Sequence, residues 1–279
     1  MKLAIHSVFI AKENVLFLEE WIDYHIQIGF DAFYLYDNSK VNRKSSWYDI
    51  GNALVPGKIN RHGINYDEVV KLTSEQVDEI LRKIQDKYKD IIYITEWSPL
   101  DENGFICYYQ EEAHNDCLSK LKQSDVTWCA SIDIDEFIVA NTTNIKTFLS
   151  KIDDNVFAVY MQQQRFQTRF SRLDKNVTEI DKVFIENLDK SHSNKYIYNV
   201  NKTIHAKIHS CTGNGNELHP DVPIISFNHY KIDVHGTNFK IVNNIDPIVM
   251  NTIRNNSRTY IVKNYTPYPS SKSKSATAS

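Results

Sequence analysis

The apolar run Val126-Thr127-Trp128-Cys129-Ala130-Ser131-Ile132 leads directly into Asp133-Ile134-Asp135-Glu136. Three carboxylates at the tip of a buried strand are electrostatically costly unless a cation neutralises them. Side chains two apart on an extended chain point the same way, so Asp133 and Asp135 can face one ligand while Glu136 faces the other side. Oxygen ligands in this number suit Mn²⁺ or Mg²⁺, which keep waters and bridge to diphosphate oxygens. A solvated acidic turn closing the strand is the plain alternative. Asp37-Asn38 poses a similar choice. The Asp37 carboxylate could accept the imide N–H of uracil while the backbone of an Ala11-Lys12 loop contacts base and ribose, or the pair is simply a turn former.

Such groups act together only if the chain brings them to one edge. Residues 3–10 are short and mostly apolar, fit for a strand buried on both faces. From Val15, the residues Leu18, Trp21, Ile22, Ile26 and Ile28 recur at helical intervals, and Gly29 supplies the stop. Residues 32–36 predict a second strand ending in the Asp37-Asn38-Ser39 turn signal. This β-α-β order favours a parallel pair with ligand-binding loops at the carboxyl ends of its strands. Residues 40–64 read as an irregular excursion, 66–89 as a helix, 91–94 as a third strand, about 105–121 as a helix and 126–132 as the fourth strand. The alternation specifies an α/β layer fold with a mainly parallel, Rossmann-like sheet. Beyond residue 140 the chain becomes β-rich, with short strands expected at 156–161, 183–185, 203–208 and 223–227. The expected organisation is a single domain over 1–265, split into halves at 140, with a disordered polar tail over 266–279.

The whole composition is that of a globular chain: 279 residues, 42% hydrophobic and 24% charged. A formal charge of −3 lacks the excess of a dedicated binder of nucleic acid or anionic membrane. No stretch approaches the roughly 20 apolar residues of a membrane helix. Cys107, Cys117, Cys129 and Cys211 form no CxxC pair, which favours a reducing, cytoplasmic setting.

Three blocks in order carry a family resemblance. Glu19-Glu20-Trp21-Ile22-Asp23-Tyr24-His25, with Gly29 and Phe33-Tyr34-Leu35-Tyr36-Asp37-Asn38-Ser39, resembles the opening of the family 92 glycosyltransferases and their family-2-like relatives. Gln110, Ala113 and Asn115-Asp116-Cys117-Leu118, then Trp128 and Ile132-Asp133-Ile134-Asp135-Glu136-Phe137, are similar to the central signature, and Asn228-His229-Tyr230 to a late N-H-Y. The resemblance implies a GT-A fold whose nucleotide-binding half carries Ala11, Lys12, Asp37, Asn38, Asp133 and Ile134. It implies Asp135 as main metal ligand, Asp133 toward ribose or metal, and His229 completing coordination or touching the diphosphate. The Gln162–Arg169 stretch departs from the family pattern and predicts a different acceptor pocket. Compactness suggests a bacterial or large-virus enzyme, in the latter case acting in host cytoplasm.

The implied reaction moves a sugar, galactose or xylose, from a UDP-linked donor to a hydroxyl of a glycan or glycoprotein, with inversion. A carboxylate downstream of the metal motif would take the hydroxyl proton, with Glu217, Asp221 and Asp233 as candidates and His219 or His209 behind them. Lys202, Lys207 and Arg165 would screen phosphate charge. Two other readings compete. A nucleotidyl or phosphoryl transferase would need a glycine-rich phosphate loop, and the chain has 8 glycines and no GxxxxGK[ST]. A silent carbohydrate-binding protein would use some of the 16 tyrosines and 4 tryptophans as stacking surfaces.

Overall fold

A computed structural model of the chain describes residues 1–41, 72–140, 144–168, 182–184, 194–221 and 224–231. The expected excursion beyond residue 41, Asp233 and the 266–279 tail lie outside the described residues. Strands β1 (Lys2–Phe9), β2 (Ala32–Asp37), β3 (Ile92–Glu96) and β4 (Val126–Ser131) form a parallel sheet in the order β3-β2-β1-β4. The α/β expectation holds for this half.

The second half extends the same sheet. Its strands are β5 (Glu136–Ala140), β6 (Val156–Thr168), β7 (Lys182–Phe184), β8 (Lys195–Asn199), β11 (Asn216–Leu218) and β12 (Ile225–Lys231), with β9 (Thr203–Ala206) and β10 (Cys211–Gly213) forming a separate hairpin. Strand β8 lies antiparallel between β4 and β6, while β12 runs parallel to β6 and antiparallel to β5. The sheet is therefore mixed, and it is continuous across the two halves.

Helix α1 (Ala11–Ile28) covers one face, where Leu18, Trp21 and Ile22 pack in one core with Leu3, Ile5, Phe33 and Leu35, all fully buried. Helix α2 (Ser74–Lys87) joins that core through Val77, Leu81 and Ile84. Its N-terminus is closed by Thr73 and Gln76 as a capping box, and the expected helical residues 66–71 lie outside the described residues. Helix α3 (Gln110–Leu121) covers the opposite face through Ala113, Cys117, Leu118 and Leu121, against Ala4, Val8, Tyr36 and Cys129. It begins after the expected 105 because Asp101 Oδ1 accepts the N–H groups of Asn103 and Phe105, closing a polar turn before the helix. A short helix, α4 (Ile145–Leu149), follows β5.

One local expectation is corrected. Ala11 and Lys12 belong to the first turn of α1, not to a loop, because Ile10 alone links β1 to the helix.

Candidate functional site

The acidic segment turns sharply at the carboxyl end of β4. The Glu136 N–H donates to Asp133 O at 3.0 Å, and the Asp133 N–H donates to Glu136 Oε2 at 2.9 Å, so backbone and side chain close the turn together. Ile134 is buried in the core and contributes no polar side chain. Helix α1 fastens the outgoing strand from behind. Trp21 Nε1 donates to Glu136 O at 2.8 Å, Tyr24 Oη to Ile138 O at 2.7 Å, and the Ile138 N–H reaches His25 Nε2 at 3.4 Å.

The antiparallel register of β12 on β5 sets His229 opposite Glu136. His229 Nε2 then lies 3.4 Å from Asp135 Oδ2, with both side chains largely sheltered, and His229 Nδ1 lies 3.6 Å from Glu136 Oε1. The side-chain amide of Gln163, on β6, is 2.5 Å from His229 Nδ1. Across the turn, Lys195 Nζ sits 2.9 Å from Asp133 Oδ2 and 3.4 Å from Glu136 Oε2, with its side chain only 3% exposed. Burial alone would lower the pKa of this ammonium, but the charges of Asp133 and Glu136 outweigh it and raise it above the ordinary lysine value. Burial pushes Glu136 up to about 8; Lys195 opposes the rise and Asp133 and Asp135 add to it.

Asp135 and His229 fit a divalent cation. A carboxylate and an imidazole are a donor pair that Mn²⁺ accepts, with phosphate and water oxygens completing its shell. Among the described residues no group of three His, Cys, Asp or Glu forms a metal cage, so the protein offers a partial shell. For Nε2 to ligate, Nδ1 must carry the proton and the Gln163 amide must turn its oxygen toward it.

The other expected residues divide. Asp37 ends β2 at the same sheet edge, but its Oδ1 accepts both the N–H and the hydroxyl of Ser39, and Ser39 Oγ accepts the Ala11 N–H. Burial raises its pKa. Asn38 is fully buried and clamps the loop before α3, donating to Trp97 O and Cys107 O, so its side chain does not face that edge. Lys202 is carried to the opposite edge because β8 runs antiparallel to β4 and Val200 bonds Thr127 there. The sheet therefore puts Lys195, not Lys202, at the acidic turn. Lys207 is exposed, and Arg165 stands opposite His229 in the backbone register.

Two of the base candidates lie away from the turn. Glu217 pairs opposite Ala158, five residues from Gln163 along β6, which is about 16 Å of strand. Its Oε2 meets His219 Nε2 at 3.3 Å in an exposed pair, and His219 stacks on Tyr160. Asp221 is exposed and bonds Ile224 and Ile225 at the end of β12 remote from His229. His209 stands nearer: its Nδ1 is 3.2 Å from the carbonyl of Asn194, the residue before Lys195. Burial, then the Lys195 charge, lowers its pKa.

Sequence alone does not single out Lys195 and Gln163. The available signal was a lysine opening the apolar run Tyr196-Ile197-Tyr198, where a buried charge demands a partner.

Among known proteins, the family model for glycosyltransferase family 92 matches residues 69–271. Solved structures similar to the chain include S. aureus TarS 1–349, at 14% identity and a TM-score of 0.34, covering 72% of this chain and 47% of that one. The same TarS fragment in complex with UDP-GlcNAc matches at 13% identity and a TM-score of 0.34, covering 72% and 46%. The chain thus spans less than half the length of these structures. No curated protein matches it in sequence.

Proposed function

The chain belongs to glycosyltransferase family 92 and is a glycosyltransferase; from that premise we propose that its acidic turn binds a nucleotide-sugar donor, UDP-linked, through a Mn²⁺ or Mg²⁺ ion. The observation that carries this is the meeting of Asp135 and His229 at the carboxyl end of β4. Those two side chains would hold the ion, whose chemistry there is to neutralise charge on a departing nucleoside diphosphate. The sugar is galactose or xylose, and the acceptor is a hydroxyl of a glycan or glycoprotein. That oxygen forms the new bond at the anomeric carbon as the bond to the diphosphate oxygen breaks, with inversion. The electron pair leaves with the diphosphate, and the hydroxyl proton passes to a base. Asp233, beyond β12, is the carboxylate we retain for that base, with His209, which meets the carbonyl of Asn194 just before Lys195, behind it. Cys107, Cys117, Cys129 and Cys211 are all buried thiols, which favours a reducing, cytoplasmic setting.

The protein's own groups prepare the site before any ligand arrives. Trp21 and Tyr24 fix the strand leaving the turn, Gln163 lies against His229 Nδ1, and Lys195 offsets the accumulated negative charge. The test is calorimetric titration of UDP-galactose, UDP-xylose and UDP with and without Mn²⁺. Wild type should bind at least one of them more tightly with the metal, and Asp135→Asn should lose that enhancement. Equal affinity with and without Mn²⁺ in wild type would defeat the reading.

A further inference from the structure

Three carboxylates crowd the end of β4, and a buried ammonium already stands among them. Lys195 reaches Asp133 and Glu136, the outer two, and Asp135 lies against His229. With its side chain 3% exposed, Lys195 is too enclosed to touch a bound phosphate, so its effect must pass through the carboxylates it holds. Asp133, at 37% exposure, is the partner a cation could otherwise recruit.

We propose that Lys195 is a positioning residue that keeps Asp133 and Glu136 on its own side of the turn, leaves Asp135 and His229 as the ligand pair, and so makes cation uptake depend on the nucleotide's phosphates. The physical reason is charge and ligand count together. The ammonium repels an incoming dication and occupies a carboxylate that would bind it. Two protein ligands then hold the ion weakly until diphosphate oxygens add negative charge and complete the shell. This rests on the assignment of Asp135 and His229 as ligands.

The experiment measures Mn²⁺ binding to the full chain by electron paramagnetic resonance, with and without UDP or GDP. Wild type should take up Mn²⁺ weakly alone and more tightly with nucleotide, the two effects being reciprocal. The double variant Lys195→Met with Glu136→Gln removes the ammonium and its buried partner together and releases Asp133. Its affinity for Mn²⁺ alone should rise about tenfold, the scale on which partners of ligating groups set metal affinity, and its linkage to nucleotide should shrink. Asp133→Asn, at a half-exposed position, provides a second reading that does not depend on the buried pair surviving replacement. It should leave the linkage within about threefold of wild type, whereas Asp135→Asn abolishes it.

A folded double variant with unchanged Mn²⁺ affinity, or an Asp133→Asn variant as impaired as Asp135→Asn, overturns the role of Lys195. Wild type with no linkage to either nucleotide overturns the metal assignment itself, and that failure appears in the unmodified protein before any variant is compared.

Discussion

Gln163 and His229 share a short contact, and that contact decides which ring nitrogen is left to meet a ligand. Gln163→Leu removes the nearer partner of Nδ1, Glu136 Oε1 standing at 3.6 Å, and should weaken Mn²⁺-dependent nucleotide binding by about 10–100-fold, as loss of such outer partners does. Calorimetry of the variant checks this, and an unchanged affinity would separate His229 from the metal. The Asp133–Glu136 cluster could be read directly from the sequence because its members are neighbours, but not their directions: the chain turns at Asp133 instead of extending, so Asp133 and Glu136 share Lys195 while Asp135 faces His229, where the strand period would have set Asp133 and Asp135 together. Lys195 could not, because it lies on β8, a strand whose pairing with β4 is a long-range choice. The same holds for Glu217 and Asp221: their types suited a base, but strand register, which composition does not encode, carries them away from the turn.

Helix α1 is the element on which the site leans, since one of its faces is both core and clamp. Trp21→Phe keeps most of the buried surface but leaves Glu136 O without its donor, a loss of about 1–3 kcal/mol. Urea unfolding measures it, and a stability equal to wild type would show that the clamp is dispensable. The helix ends at Gly29, whose φ of 115° is left-handed and whose N–H reaches back to Ile26 O. A Cβ there would stand 2.6 Å from Asn144 Oδ1. Gly29→Ala should therefore destabilise by about 1–2 kcal/mol from backbone strain alone, with the Asn144 contact adding to it, seen as a lowered Tm. The β1-α1-β2 unit was legible because its period changes cleanly from strand to helix and its stop is a glycine. Strands β5, β8, β10 and β11 were not, being defined by the neighbours they pair with.

At the scale of the whole fold, three histidines among the described residues are buried and kept neutral. His25 and His114 are lowered to about 3, in each case first by burial, and His6 is lowered well below its ordinary value by burial and then by His114. Nδ1 of His6 and Nδ1 of His114 are 2.9 Å apart, which requires that at most one of them carry the proton. A histidine with a depressed folded pKa binds its proton mainly when unfolded. Its stabilisation is complete above pH 6.5 and is lost as pH falls toward the folded value, at about 1.4 kcal/mol per pH unit per group. Glu136 works in the other direction: raised from 4.5 to about 8, it favours the fold at low pH and loses that contribution as pH rises through 8. Stability should therefore peak near pH 6.5, with the steeper fall on the acid side. Urea midpoints from pH 4.5 to 8.5 test this, and His25→Gln should shallow the acid limb. A flat profile would contradict the neutral burial of these rings. The antiparallel insertion of β8 has one more effect. A fragment cut after residue 140 would leave the backbone of Trp128 to Ser131 without its β8 partner, an open edge able to recruit another chain. Such a fragment should self-associate, and adding a peptide that spans Lys195–Asn199 should suppress the aggregation by taking the vacant place.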